Sequence, residues 1–288
     1  MQVLEPIYAW AVAIAIVAAI AGTLGWRRIV GKRVAGYMAL CEYWVYTAHH
    51  QLPKQELLMD RMISANPHNR PGRPCIGARE GMLFSDIRLH IALAKRSKNP
   101  HIFRPDLFGE STEPSAEILA RLSEANSLIK VRYLSEVELR DMRHLQFMPH
   151  LADTMTDLAD GLVVYDVVCE QLYSAEEFKA LLDKNNNAER PDMHVRVTWG
   201  IDPEDGSGFA ETRGLKKLGL QELRTDAVEP DQEVLIVGLL MRAAYEMVRD
   251  PSVAGPFEYE EFGDTFVLEL RPEKGKRTRV AIRRRRGG

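Results

Sequence analysis

A chain of 288 residues, 45% hydrophobic and 27% charged, has the makeup of an ordinary globular protein and enough length for one or two cores. Its net charge of −3 gives no global attraction to nucleic acid. Three widely spaced cysteines, Cys41, Cys75 and Cys169, with no Cys-x-x-Cys or Cys/His pair, argue against a disulfide framework and for free thiols in a reducing compartment.

The first segment with a clear physical meaning is residues 7–26, "IYAWAVAIAIVAAIAGTLGW", which carry no charge. As a helix they span about 30 Å, the hydrocarbon thickness of a bilayer. Tyr8, Trp10 and Trp26 stand at its two ends, and Arg27, Arg28, Lys32 and Arg33 follow. That order predicts a single-pass membrane protein with the N-terminus outside and the C-terminal domain cytoplasmic. A cleaved signal peptide would need its basic residues on the other side. Ala11, Ala15 and Ala19 share one face of the span, a spacing that permits a homo-oligomer and that also arises in any alanine-rich helix.

Residues 34–50 continue in a helical pattern, and Pro53 opens a second helix. The proline-rich stretch 66–74 reads as a loop. Residues 85–94, "SDIRLHIALA", alternate between Ile87, Leu89, Ile91, Leu93 and a polar set, the mark of a half-buried strand. Ser115 caps a helix through residue 125, with Ile118, Leu119 and Leu122 inward. A strand at 128–134 precedes a helical stretch at 137–158, interrupted near Pro149. The apolar run at 161–168 reads as a central strand, and Ser174 with Glu177 forms a capping box. The remainder is strand-rich. "HVRVTW" and "FAETRG" flank a hairpin loop, a helix follows Pro230 and Asp231, and "DTFVLELR" pairs with "RTRVAIRR" across "PEKGK". The class is α+β, with a mixed, largely antiparallel sheet and packed helices, preceded by one N-terminal transmembrane helix. The expected layout is a short extracytoplasmic N-terminus at 1–6, the anchor at 7–26 and a helical juxtamembrane region and loop at 27–75. A cytoplasmic domain at 76–282 and a basic tail at 283–288 complete it.

Glu211 to Asp226, "ETRGLKKLGLQELRTD", resembles a signature of a family of uncharacterised bacterial domains. The residues that carry it are Thr212, Gly214, Leu215, Leu218, Gly219, Glu222 and Leu223. The family also places an apolar strand ending in Asp before a short helix, to which "GLVVYD" and "LYSAEEF" are similar. The resemblance covers roughly residues 148–250 and implies no chemistry, since none is assigned to the family. The residues themselves predict a strand end, then one helical turn between Gly214 and Gly219, with Leu215 and Leu218 inward and Lys216 and Lys217 outward. Such a turn is a connector, with bulky leucines where a phosphate cradle would need bare backbone.

Three constellations could carry chemistry. His150, Asp153 and Asp157 fall on one face of a helix begun at Pro149 and could hold Zn, Mn or Fe for a metal-dependent hydrolase, although no established ligand spacing supports them. The same residues also suit a plain polar face. Arg88 and His90 on one strand could join His194 and Arg196 on another, with Arg213 nearby, to line a groove for an anion, or could form a solvated sheet face. Arg283, Arg284, Arg285 and Arg286 end a segment, 271–288, that bears nine basic residues against one acid. That segment is +8 and leaves −11 on the rest. It could touch anionic lipid, bind nucleic acid or be solvated. The anchor and the lack of interleaved aromatics rank nucleic acid last. No nucleophile elbow, Walker loop or dinucleotide fingerprint occurs, and no motif asks for a cofactor. The expectation is a membrane-tethered cytoplasmic domain that binds a protein partner and is not an enzyme.

Overall fold

The computed structural model describes residues 37–63, 88–108, 113–139, 141–182, 187–188, 190–272 and 277–286. The expected span 7–26 lies outside them, as do Cys75 and the loop 66–74. Among the described residues no helix is long and apolar enough to cross a membrane.

The described residues build two sheets rather than the single one expected. The strands are β1 Ala39–Thr47, β2 Leu89–Lys95, β3 Ser127–Ser135, β4 Gly161–Asp166, β5 Gln171–Ser174, β6 Arg196–Ile201, β7 Gly208–Arg213, β8 Leu223–Thr225, β9 Phe257–Glu261, β10 Asp264–Arg271 and β11 Thr278–Arg286. The helices are α1 Gln55–Ile63, α2 Ala116–Glu124, α3 Arg143–Leu158, α4 Ala175–Leu181, the single turn α5 Pro191–His194, and α6 Glu233–Arg249. The first sheet runs β2-β3-β1-β4-β5 and the second β6-β7-β8-β11-β10-β9. Every pairing is antiparallel except β8 with β11, so the largely antiparallel, mixed character holds.

β1 corrects the first expectation after the anchor. Residues 39–47 form the middle strand of the first sheet, not a helix. Cys41, Tyr43 and Val45 enter a core with α1, α3 and α4 on one face, while Tyr46 packs with Phe103, Phe108, Ile118 and Leu122 on the other. A strand buried on both faces shows no alternation, and the aromatic and β-branched run "EYWVYT" is the signal that remains. Pro149 gives a second correction. It sits inside α3, which runs unbroken from Arg143 because Phe147, Met148, Leu151 and Ala152 all anchor it in the same core. Other local readings hold. The Ser115 hydroxyl accepts from the Ile118 N–H, and Ser174 and Glu177 form the reciprocal capping box.

The two sheets differ in how they are covered. The first is sandwiched between helical layers on both faces. The second buries Ala210, Leu223, Val280, Leu268, Phe266 and Phe257 under α6, and none of the hydrophobic clusters draws on its opposite face. Between the halves lies the 3-10 turn Leu215–Leu218, whose leucines join the second core and whose backbone packs against β1. The Arg-rich end is corrected as well. Residues 278–286 are strand β11, paired with β10 through Arg286, not a free tail.

Candidate functional site

The loop between β7 and β8 is an anion nest that the chain fills with its own carboxylate. Gly214 has φ +123° and Gly219 φ +77°, so the backbone enters and leaves the turn where only glycine sits without strain. A Cβ at Gly214 would lie 1.9 Å from the His194 carbonyl oxygen. Between the glycines, the N–H groups of Gly214, Leu215 and Lys216 donate to the Glu222 carboxylate at 2.9, 3.3 and 3.1 Å, and the Thr212 hydroxyl donates at 2.7 Å. The amides do converge, around the leucines rather than in spite of them. Burial raises the Glu222 pKa against these four hydrogen bonds.

Lys217 is the larger correction in this loop, for it is fully buried rather than outward. Its ammonium pairs with the equally buried Asp166 at the end of β4. The other Asp166 oxygen accepts from the N–H groups of Val168 and Cys169 at 3.2 and 3.1 Å. Burial alone would discharge Lys217, but the Asp166 carboxylate, together with Cys169, Tyr43 and Cys41, holds the lysine well above its ordinary pKa. Around the pair lie Tyr43, whose ring centroid is 5.4 Å from Nζ, and the thiols of Cys41 and Cys169. Burial pushes Cys41 up to about 12 and Cys169 higher still, so neither is a ready nucleophile. His144 stacks on Tyr133 with centroids 5.0 Å apart and donates from Nε2 to the Lys217 carbonyl at 2.7 Å. Burial lowers His144 to about 4 and takes His194 well below its usual value. These groups bolt one half of the molecule to the other.

The sequence candidates scatter around this junction. His150 Nε2 accepts from the side-chain amides of Gln146 at 2.9 Å and Asn187 at 3.0 Å, which occupies one of its two ring nitrogens. Asp153 and Asp157 turn instead to Arg61, at 3.5 Å and closer, and Asp157 also holds Lys179 at 3.0 Å. Partial burial would raise the Asp157 pKa, yet Arg61 and Lys179 bring it below the ordinary carboxylate range. Among the described residues no three His, Cys, Asp or Glu side chains could hold a metal ion, so His150, Asp153 and Asp157 share a helix face without converging.

The proposed anion groove also divides. His90 is exposed on the edge strand β2, opposite Arg132, and Arg88 donates to the Tyr133 hydroxyl at 3.1 Å. His194 is not on a strand. It ends the turn α5, set by Pro191, and its Nε2 donates to the Asn187 carbonyl at 2.7 Å inside the core. Arg196 and Arg213 do meet, directly opposite on β6 and β7, where Arg196 donates to Gln171 at 2.8 Å and Arg213 reaches Glu211 at 2.6 Å. Arg284 pairs with Asp264, Arg283 with Glu269 at 3.2 Å, and Arg285 with Glu258 at 3.7 Å.

What the sequence reading missed is the outer face of the second sheet, which no helix among the described residues covers. Register places Phe209, Glu211 and Arg213 of β7 on it, with Arg224 of β8, Arg279, Arg283 and Arg285 of β11, and Glu269 and Arg271 of β10. Val267 and Ala281 on this face are buried. A groove of about 490 Å³ opens there, lined by Asp202, Phe209, Arg224, Asp226, Arg277 and Arg279 among others. The period-2 recurrence of arginine at 277, 279, 283 and 285 was the available signal.

No family profile, no curated protein and no solved structure matches the chain. The site therefore has to be read from its own chemistry.

Proposed function

We propose that the chain is a bilayer-tethered, non-catalytic interaction domain. Residues 7–26 hold it to the membrane with the N-terminus outside, and the folded part faces the cytoplasm and receives a protein partner on the open face of the second sheet. The observation that carries this reading is that, among the described residues, helices cover only one face of that sheet. Arginine side chains on its other face, Arg224, Arg271 and Arg279, are between 36% and 62% exposed. Arginine is the charged residue most at home in protein interfaces, through its flat, weakly hydrated fork. The reactive groups that do cluster, Lys217, Cys41, Cys169, His144 and His194, are sealed in the junction, where a substrate has no approach. A lipid role for Arg283, Arg284 and Arg285 is less well supported, because each is already paired with a carboxylate along β10 or β9.

The test is site-directed photo-crosslinking of the full chain in its membrane. A crosslinker at Thr198, on the open face, should capture a defined partner, and one at exposed Leu119 on α2 should not. Equal capture at both positions, or none at Thr198, refutes the docking face. Protease added to inverted vesicles should digest the domain, and protection there refutes the topology.

A further inference from the structure

The second sheet ends in β6 on one side and β9 on the other, and the two edges are built differently. β9, "FEYEE", carries Glu258, Glu260 and Glu261. Pairing it with a copy of itself about Tyr259 would set Glu258 against Glu260, and like charges across a pair are destabilising. β6, "RVTWGI", has no charge and no proline from Val197 to Ile201. Charges and prolines are the usual devices that keep an edge strand from pairing.

The direction of the edge groups follows from the bonds of β7. Gly208 exchanges both backbone bonds with Val228, at 2.8 and 2.9 Å, and the Ala210 N–H donates to the Thr225 hydroxyl at 2.9 Å. Both residues thus turn their backbone away from β6. Ile201 and Trp199 stand directly opposite them, so in an antiparallel ladder they turn theirs away from β7. Val197, two residues from Trp199, points the same way. Among the described residues no other backbone group bonds to Val197, Trp199 or Ile201. The row of outward donors stops at both ends. Pro203 has no N–H, and the Val195 N–H is taken by the Pro191 carbonyl at 2.9 Å. The outward N–H groups therefore sit at 197, 199 and 201, centred on Trp199.

We infer that β6 is the pairing edge for a second copy of this chain, antiparallel about a two-fold axis at Trp199. A row of donors centred on one residue is self-complementary, which a two-fold interface requires and an unrelated strand does not. Trp199 meets Trp199 and Val197 meets Ile201, each pair exchanging both backbone bonds. Ile201, 50% exposed, is then covered by an apolar neighbour. The pairs between them are Thr198 with Gly200 and Arg196 with Asp202, so opposite charges stand across the interface at both ends. Arg196 keeps its bond to Gln171 in this arrangement. The Trp199 ring lies back over Gly208 of β7, where a Cβ would come within 2.1 Å of it, and so leaves the axis open. This surface is the edge of the sheet rather than its face and stands independently of the docking face proposed above.

The experiment uses the full chain in detergent, in a C75S background where the remaining native thiols, Cys41 and Cys169, are buried. Opposed Cα atoms in such a pair lie about 5.5 Å apart, within disulfide reach. Under copper-phenanthroline oxidation V197C/I201C should therefore give a disulfide-linked dimer on non-reducing gels, and V197C or I201C alone should stay monomeric. A second variant leaves the core-facing side chains intact. From the strand spacing and a two-residue offset, the Thr198 Cα atoms of two copies lie about 8 Å apart, so a short bismaleimide should link T198C and not L119C. I201K, which puts a charge opposite Val197, should weaken linkage at T198C severalfold. No dimer from either variant, linkage of L119C as fast as T198C, or T198C linkage indifferent to I201K each overturns the edge pairing. A photo-crosslink at Thr198 to a second copy runs at twice the chain mass. Capture of a different protein there speaks for the docking face alone, so either proposal can fail without the other.

Discussion

Removing the Lys217 ammonium tests the junction most directly. In K217M the aliphatic stem survives but Asp166 loses its cation in a site with no solvent access. Its two backbone donors, Val168 and Cys169, satisfy one oxygen and leave the other without its cation. Breaking a buried pair from one side costs about 3–5 kcal/mol. At 2–4 °C per kcal/mol for a chain of this size, the thermal midpoint should fall by roughly 6–20 °C. D166N/K217M should regain part of the loss, because asparagine keeps one oxygen for the two N–H groups and no naked charge is left. The remaining deficit is about 1–3 kcal/mol for a buried amide that lacks a partner. Urea unfolding followed by tryptophan fluorescence and far-UV dichroism measures both variants. A K217M midpoint within about 1 kcal/mol of wild type would show that water reaches Asp166 and would refute the sealed junction.

Other outcomes follow from neighbouring groups. His144 is buried neutral with its pKa near 4 against an ordinary 6.5, so the unfolded chain takes up a proton in that window and the folded chain does not. Stability should be fully present above pH 6.5 and fall as pH drops toward 4, by about 3 kcal/mol from His144, with His194 adding in the same direction. H144F should flatten that limb in urea titrations. An unchanged slope would place the histidines in contact with solvent. Lys217, raised rather than lowered, adds nothing to the acid limb. Glu222→Ala should orphan three backbone N–H groups and cost about 3 kcal/mol or more, while Glu222→Gln should cost less, and equal losses would contradict the nest. In a Cys75→Ser background neither Cys41 nor Cys169 should react with a thiol reagent until the chain unfolds, and prompt labelling would refute their burial.

Much of this fold could be read from local rules. The hairpins at β6–β7 and β10–β11, the caps at Ser115 and Ser174, and the alternation of β2 are each set by residues within a few positions of one another. β1 was illegible because both its faces are buried by elements far along the chain, which erases the period of two. Lys217 was illegible for a similar reason. Its neighbours Leu215 and Leu218 point into the second core, and only the arrival of β4 from fifty residues earlier gives the ammonium a carboxylate. The candidate metal residues differ in direction rather than phase. His150, Asp153 and Asp157 do share a helix, but Gln146 and Asn187 hold the imidazole while Arg61 holds both carboxylates.

The treatment of charge separates structure from function in this molecule. Inside, each charge has its match. Lys217 has Asp166, and Glu222 has three amides and a hydroxyl. These arrangements are closed, and closure makes them rigid and chemically silent. On the outer face of the second sheet the charges are instead exposed and shared, with Glu211, Asp226 and Glu269 each meeting more than one arginine and Arg224, Arg279 and Arg271 in register across three strands. A sheet selected for stability alone would alternate signs there.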